Sequence, residues 1–247
     1  LRFVHRKTGV FLGEAKLVAH RDFEIMLDQD AAPFAEAQAE WLDHECAGWV
    51  VQNCHWEDNF QRLLIMSGPG IVRGCTFTRM GSNISLNTGM GLVGGIPSDI
   101  TIADNTFLEV SPRPHHPAID ARGHNAQGRD GVPPIERLRI TGNVFTRSGG
   151  PAMRLIGIED SLIERNHIDS AVRASVIARP QDETDRQAIV LKHSQGVTLK
   201  ANTLHDPENH TQPDAVSGSR MVGLEVTKEI SLDGGKLPDA PAGKLPQ

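Results

Sequence analysis

A short pattern recurs six times along this chain: an aliphatic residue, two residues, Asn or Cys, one residue, and a large apolar residue. It reads Val51-Gln-Asn-Cys54-His-Trp56, then Val72-Arg-Gly-Cys75-Thr-Phe77, then Ile102-Ala-Asp-Asn105-Thr-Phe107. Three further copies are Ile140-Thr-Gly-Asn143-Val-Phe145, Ile163-Glu-Arg-Asn166-His-Ile168 and Leu199-Lys-Ala-Asn202-Thr-Leu204. The central residues lie about 21, 30, 38, 23 and 36 positions apart, a repeat-protein period with insertions added. A unit this short cannot bury an apolar face alone, so it stacks on its neighbours. Stacked strands repeat at about 4.8 Å, which brings equivalent side chains together. Asn tolerates left-handed backbone and hydrogen-bonds nearby peptide groups. Asn105, Asn143, Asn166 and Asn202 are therefore expected to form a ladder at one corner. Cys54 and Cys75 hold the same register in the first two coils. Directly stacked side chains are poorly placed for a disulfide, so these two are expected as free thiols. Trp56, Phe77, Phe107, Phe145, Ile168 and Leu204 are expected to stack inward.

A second short apolar run follows several copies: Leu63-Leu64-Ile65-Met66, Ile84-Ser85-Leu86, Ala152-Met153-Arg154-Leu155 and Ala188-Ile189-Val190-Leu191. Runs of this length, flanked by Gly and Pro, indicate strands. Gly89 to Ser98, Arg113 to Pro134 and Arg179 to Arg186 read as inserted loops. The expected fold is all-β: a right-handed parallel β-helix, or solenoid, over residues 44–232. A small β-rich, barrel-like module over 1–43 precedes it. There, Phe3-Val4, Val10-Phe11-Leu12, Leu17-Val18 and Phe23-Glu-Ile25-Met-Leu27 read as strands. Asp30 to Leu42 carries an N-cap, an early Pro and helix formers, which predict one short helix. Residues 233–247 read as a solvated, flexible tail. The low aromatic content, 4%, fits thin coils with room for one large apolar residue per turn.

Composition narrows the partners. A net charge of -6 without a basic stripe argues against nucleic acid. No apolar stretch approaches the roughly 18 residues of a membrane span. Three cysteines, Cys46, Cys54 and Cys75, show no CxxC spacing, and the histidines show no HExxH. No metal and no cofactor are expected, and no residue pattern speaks to oligomeric state. The chain begins at Leu1 without an initiator Met or signal-like segment, as expected of a processed protein or a piece of a longer one.

Residues 2–12, RFVHRKTGVFL, resemble the segment that opens a small inserted barrel in the bacterial β-helical α-1,3-galactosidases. Residues 49–78, WVVQNCHWEDNFQRLLIMSGPGIVRGCTFT, and 140–168, ITGNVFTRSGGPAMRLIGIEDSLIERNHI, resemble that family's coils. The resemblance covers most of residues 2–204. It implies a glycoside hydrolase, exo-acting on α-galactosides, with a glycan substrate and an extracellular or periplasmic location. The sequence also departs from the family. Asn59-Phe60-Gln61-Arg62-Leu63 stands where the family has Asn-Arg-Ala-Arg-Gly. The family's paired catalytic aspartates have no counterpart, and by the resemblance would lie upstream of Leu1.

Glycoside hydrolysis needs two carboxyl groups, roughly 5–5.5 Å apart in retaining enzymes and roughly 6.5–9.5 Å in inverting ones. The catalytic candidates are Glu57, Asp58 and Asp120, with Glu159 and Asp160 also weighed. Each has a plain alternative as a solvated turn or polar loop. Asp120 gathers His115, His116, Arg122 and His124 nearby, group types that bond sugar hydroxyls. Arg62 matches the Arg retained from the family's strand. Its role would be to bond a sugar hydroxyl or orient a carboxylate, the alternative being a structural ion pair. Trp41 is expected to stack on a sugar, whereas Trp56 falls in the core register. Two other functions suit the same fold: a polysaccharide lyase or epimerase acting on uronates, and a non-catalytic glycan-binding surface protein.

Overall fold

The computed structural model describes residues 2–5, 11–21, 24–30, 37–40, 48–59, 62–65, 67–81, 84–87, 96–111, 116–123, 134–173, 186–214, 219–233, 235–237 and 239. Among the described residues the protein is all-β, with no α-helix. The leading module holds β1 (Arg2–His5), β2 (Phe11–Glu14), β3 (Leu17–Arg21), β4 (Glu24–Leu27) and β5 (Ala37–Glu40). Strand β1 lies antiparallel between β2 and β5, and β3 pairs with β4. Of the helix predicted over Asp30 to Leu42, Ala37–Glu40 is instead a strand along β1, and residues 31–36 and 41–42 lie outside the described residues. Helix propensity over four residues is a weak preference. The ladder bonds offered by β1 override it.

From Trp49 onward the chain visits three long sheets in rotation. The first coil is β6 (Trp49–Gln52), β7 (His55–Glu57) and β8 (Leu63–Ile65). The second is β9 (Gly70–Arg73), β10 (Thr76–Thr78) and β11 (Ile84–Asn87). The third is β12 (Ile100–Ala103), β13 (Thr106–Leu108) and β14 (Ile119–Arg122). A two-residue strand, β15 (Ile135–Glu136), then precedes β16 (Arg139–Thr141), β17 (Val144–Thr146) and β18 (Met153–Ile156). The fifth turn repeats this with β19 (Ile158–Glu159), β20 (Leu162–Glu164), β21 (His167–Asp169) and β22 (Ile189–Lys192). The sixth is β23 (Thr198–Lys200), β24 (Thr203–His205) and β25 (Val222–Glu225). Every third main strand returns to the same sheet and pairs in parallel with its predecessor. This rotation is the connectivity expected of a β-solenoid.

The register makes the sequence repeat a physical stack. Phe77 lies opposite Trp56 on one side and Phe107 on the other. The rings of Trp56, Phe77, Phe107 and Phe145 stack nearly parallel at 4.7–4.9 Å between centroids. Ile168 is buried in the same column, and Leu204 packs partly buried beyond it. Each first-to-second-sheet corner is two residues long, and its first residue is left-handed: Asn53, Gly74, Asp104, Gly142, Arg165 and Ala201. Gly142 has φ 65, and a Cβ there would run into the Asp104 carboxylate. The corner's second residue is the predicted ladder. Each Asn from Asn105 to Asn166 hydrogen-bonds the next, through backbone N–H and side-chain Nδ2, at 2.9–3.1 Å. Cys54 and Cys75 are free thiols at the head of this column.

Part of the stretch expected as a solvated tail is ordered. After β26 (Ser231–Leu232), Asp233 turns the chain with φ 47. Strand β27 (Gly235–Lys236) then runs back antiparallel to β26, and the Leu237 N–H donates to Ile230 O at 2.8 Å.

Candidate functional site

Side chains alternate across a strand, so each strand of the β8–β11–β14–β18–β22–β25 sheet sends half its side chains outward. The inward side chains Ile84, Leu86, Ile119, Ala121, Met153, Leu155, Ile189 and Leu191 are fully buried. One outward column runs Leu64, Ser85, Asp120, Arg154, Val190, Gly223. The other holds Arg122, Ile156, Lys192 and Glu225. An apolar interior thus backs a set of charges on the outer side of one sheet.

The connections single out the same face. All long connections in the coil region border this sheet. Residues 109–118, 170–188 and 206–221 lead into it, and 88–99 and 123–134 leave it. Of the expected insertions, most of Gly89 to Ser98, Arg113 to Pro134 and Arg179 to Arg186 lies outside the described residues. In the connection before β25, Asp206 gathers several donors. Asp206 accepts from the Thr211 N–H at 2.9 Å, the Thr211 hydroxyl at 2.6 Å, the His210 N–H at 3.1 Å and Arg220 Nη2 at 2.7 Å. Burial alone would raise the Asp206 pKa, but the Thr211 and His210 bonds and the Arg220 charge hold it below the ordinary value.

Asp120 is the centre of the face. Arg154 Nε and Nη2 donate to its two oxygens at 3.1 and 3.0 Å, a bidentate pair from the next coil. Arg122 closes on the same carboxylate from its own strand, with Nε at 3.0 Å and Nη2 at 2.8 Å. Burial pushes the Asp120 pKa up, but the bonds and charges of Arg154 and then Arg122 outweigh it and leave the pKa lowered. Asp120 is therefore a fixed anion that holds two guanidiniums, and it suits proton transfer poorly. The Arg154 side chain is 11% exposed, whereas that of Arg122 is 49% exposed. Further along, Lys192 Nζ meets Glu225 Oε2 at 3.2 Å.

The structure brings Asp120 and Arg122 together as candidates. His116 is half-buried on the approach to the same strand. Arg62 is exposed at the start of β8, two coils from Asp120. Glu57 and Asp58 lie elsewhere, at the corner after β7. Arg79 bonds both, with Nε 2.6 Å from Asp58 Oδ1. The Asp58 hydrogen bond to Arg79 lowers its pKa, so this pair is an exposed ion pair. Glu159 and Asp160 occupy another corner, where burial, then the Glu136 and Asp160 charges, raise the Glu159 pKa. A cleft of about 270 Å³ beside that corner is lined by Asp99, Glu136 and Arg137, and Arg137 bonds both carboxylates. Trp41, His115 and His124 lie outside the described residues. Among the described residues, no group of His, Cys, Asp and Glu is placed to hold a metal ion. Sequence reasoning passed over Arg154, Lys192 and Glu225. An Arg inside the apolar run Ala152 to Leu155 was the available signal.

No family model, curated protein or solved structure matches this chain. The functional reading therefore rests on the residues themselves.

Proposed function

We propose that this protein is a carbohydrate-active right-handed β-helix whose saccharide-binding face is the outer side of the β8–β25 sheet. The parallel crossovers support right-handed winding, the hand that such connections take in about 98% of cases. The leading module corresponds to the small barrel of the galactosidases that the sequence resembles. One observation carries the reading: the long connections flank a single sheet, and that sheet's outward columns carry Asp120, Arg122, Arg154, Lys192 and Glu225. Fixed, orienting polar groups are what a ligand site requires.

Hydrolysis needs a carboxyl pair, and among the described residues this sheet's outward columns offer Asp120 and Glu225. They stand three coils apart, about 14 Å at the strand spacing, beyond the reach of either glycosidase geometry. Saccharide recognition is therefore the part of the reading that the geometry supports best. A panel of galactosides and acidic glycans, scored for both binding and turnover with the full chain, tests it. Binding that Arg122→Gln weakens is the expected result. Failure of every glycan to bind or turn over would sink the proposal.

A further inference from the structure

We infer that the first coil of the solenoid is a docking surface for a second copy of this chain. The two copies meet head to head about a two-fold axis, and their sheets continue through the junction.

The first coil is open where the next is covered. Strands β6, β7 and β8 are the outermost strands of their three sheets, and among the described residues no strand pairs with their outer edges. The leading module does not fill the gap, since its described strands pair only with one another. The inward residues Trp49, Val51, Cys54, Trp56 and Leu63 are half-buried. In the next coil, Val72, Cys75, Phe77 and Ile84 are exposed by 1% or less. Val50 and Leu64 add outward apolar surface to the same first coil, at 51% and 39% exposure. Charged residues and prolines usually blunt a sheet edge, and β6 and β8 hold neither. Such an edge is a template for another strand. What matches three edges at once is another coil of the same cross-section, so the contact continues the coil-to-coil interface already present within the chain.

The far end decides the orientation. There β27 lies antiparallel along the edge of β26. Val222 and Leu224, on the last strand of their sheet, are buried. The chain thus covers its own far end, which leaves no matching edge for head-to-tail growth. Head-to-head contact is isologous and closes at two. A two-fold axis across β6 sets its two copies antiparallel. Centred on Val50, it places Val50 against itself and Trp49 opposite Val51 of the second copy. Residues directly opposite in a sheet share a face, so the inward residues stay inward and the exposed Val50 is covered. The same axis lays β7 of one copy along β8 of the other. The ring column that ends at Trp56 then continues into apolar core.

Sedimentation equilibrium of the full chain, over a range of loading concentrations, tests the inference. The expected species is a dimer of two 26.9 kDa chains. Val50→Lys sets two ammonium groups face to face at the axis and should weaken association at least about a hundredfold. Leu64→Lys, on β8, should weaken it too and carries the test if the first variant fails to fold, which circular dichroism checks. Val144→Lys, at an exposed valine of β17, and Lys236→Glu, on β27, should leave the dimer intact. A monomer at every concentration overturns the inference. So does a dimer that survives both Val50→Lys and Leu64→Lys in folded protein. Mass that keeps growing with concentration, or a dimer lost in Lys236→Glu, would assign the contact to the far end and overturn the head-to-head arrangement.

Discussion

Asn143 and Asn166 are joined twice. Asn166 Oδ1 accepts from the Asn143 backbone N–H and from Asn143 Nδ2, each at 3.0 Å. Asn143 Nδ2 also reaches Ile102 O at 2.9 Å, and Asn143 Oδ1 serves Asn105 in turn. All of this lies in the buried interior. The ladder therefore satisfies peptide groups that the two-residue corner cannot pair by itself.

Asn143→Ala should then destabilise the solenoid by about 3 kcal/mol or more, because it strands several buried groups at about 1–3 kcal/mol each. Asn143→Asp keeps the acceptor, removes the donor and buries a charge, and should be no better. Urea unfolding followed by circular dichroism measures both. A loss below about 1 kcal/mol would show that the ladder contributes little.

The Asp120 pKa is lowered in the folded protein. A depressed carboxylate pKa stabilises the fold above the ordinary Asp range, near 3.9, and the gain is lost as the pH falls through the lowered value. At neutral pH, Asp120→Asn removes the carboxylate charge that Arg154 and Arg122 share and should cost about 3 kcal/mol. The gap between wild type and variant should close as the pH drops below about 4. Urea midpoints measured across the acid range report it. A gap that stays constant with pH would assign the cost to packing instead.

The coil region was legible because its signal is periodic and its cause is local. The Asn or Cys register and the apolar residue two positions later name the corner and the inward stack directly. Ala37–Glu40 was misread for the opposite reason. Its strand state comes from pairing with β1, more than thirty residues away in sequence, and nothing in four residues announces such a partner. The functional face falls between these cases. Asp120 and Arg122 are visible as polar residues near an apolar run. That Arg154 joins them follows only from register, since 34 residues separate it from Asp120. The insertion between the two coils hides their adjacency.

The two ladder thiols should differ in reactivity. Cys75 is buried, and burial pushes its pKa up, while Cys54 is half-buried. A thiol reacts as its thiolate, so alkylation of the native protein at mildly alkaline pH should modify Cys54 well before Cys75. Peptide mapping by mass spectrometry after timed iodoacetamide exposure distinguishes them. Equal rates would mean that the first coils open readily. A Cys54–Cys75 disulfide-linked peptide in the untreated protein would contradict the free-thiol arrangement.

The corner carboxylates Glu57 and Asp58 should prove dispensable. Both are exposed and both pair with Arg79, across one coil step, on the far side of a corner from the charged face. Exposed pairs gain little, because solvent screens them and two long side chains must be held still. Glu57→Gln and Asp58→Asn should therefore leave the unfolding midpoint almost unmoved, and glycan affinity unchanged. The same assays applied to Arg122→Gln should show reduced affinity at a similar midpoint. Loss of glycan turnover or binding in Asp58→Asn would shift the site from the β8–β25 sheet to the corner after β7.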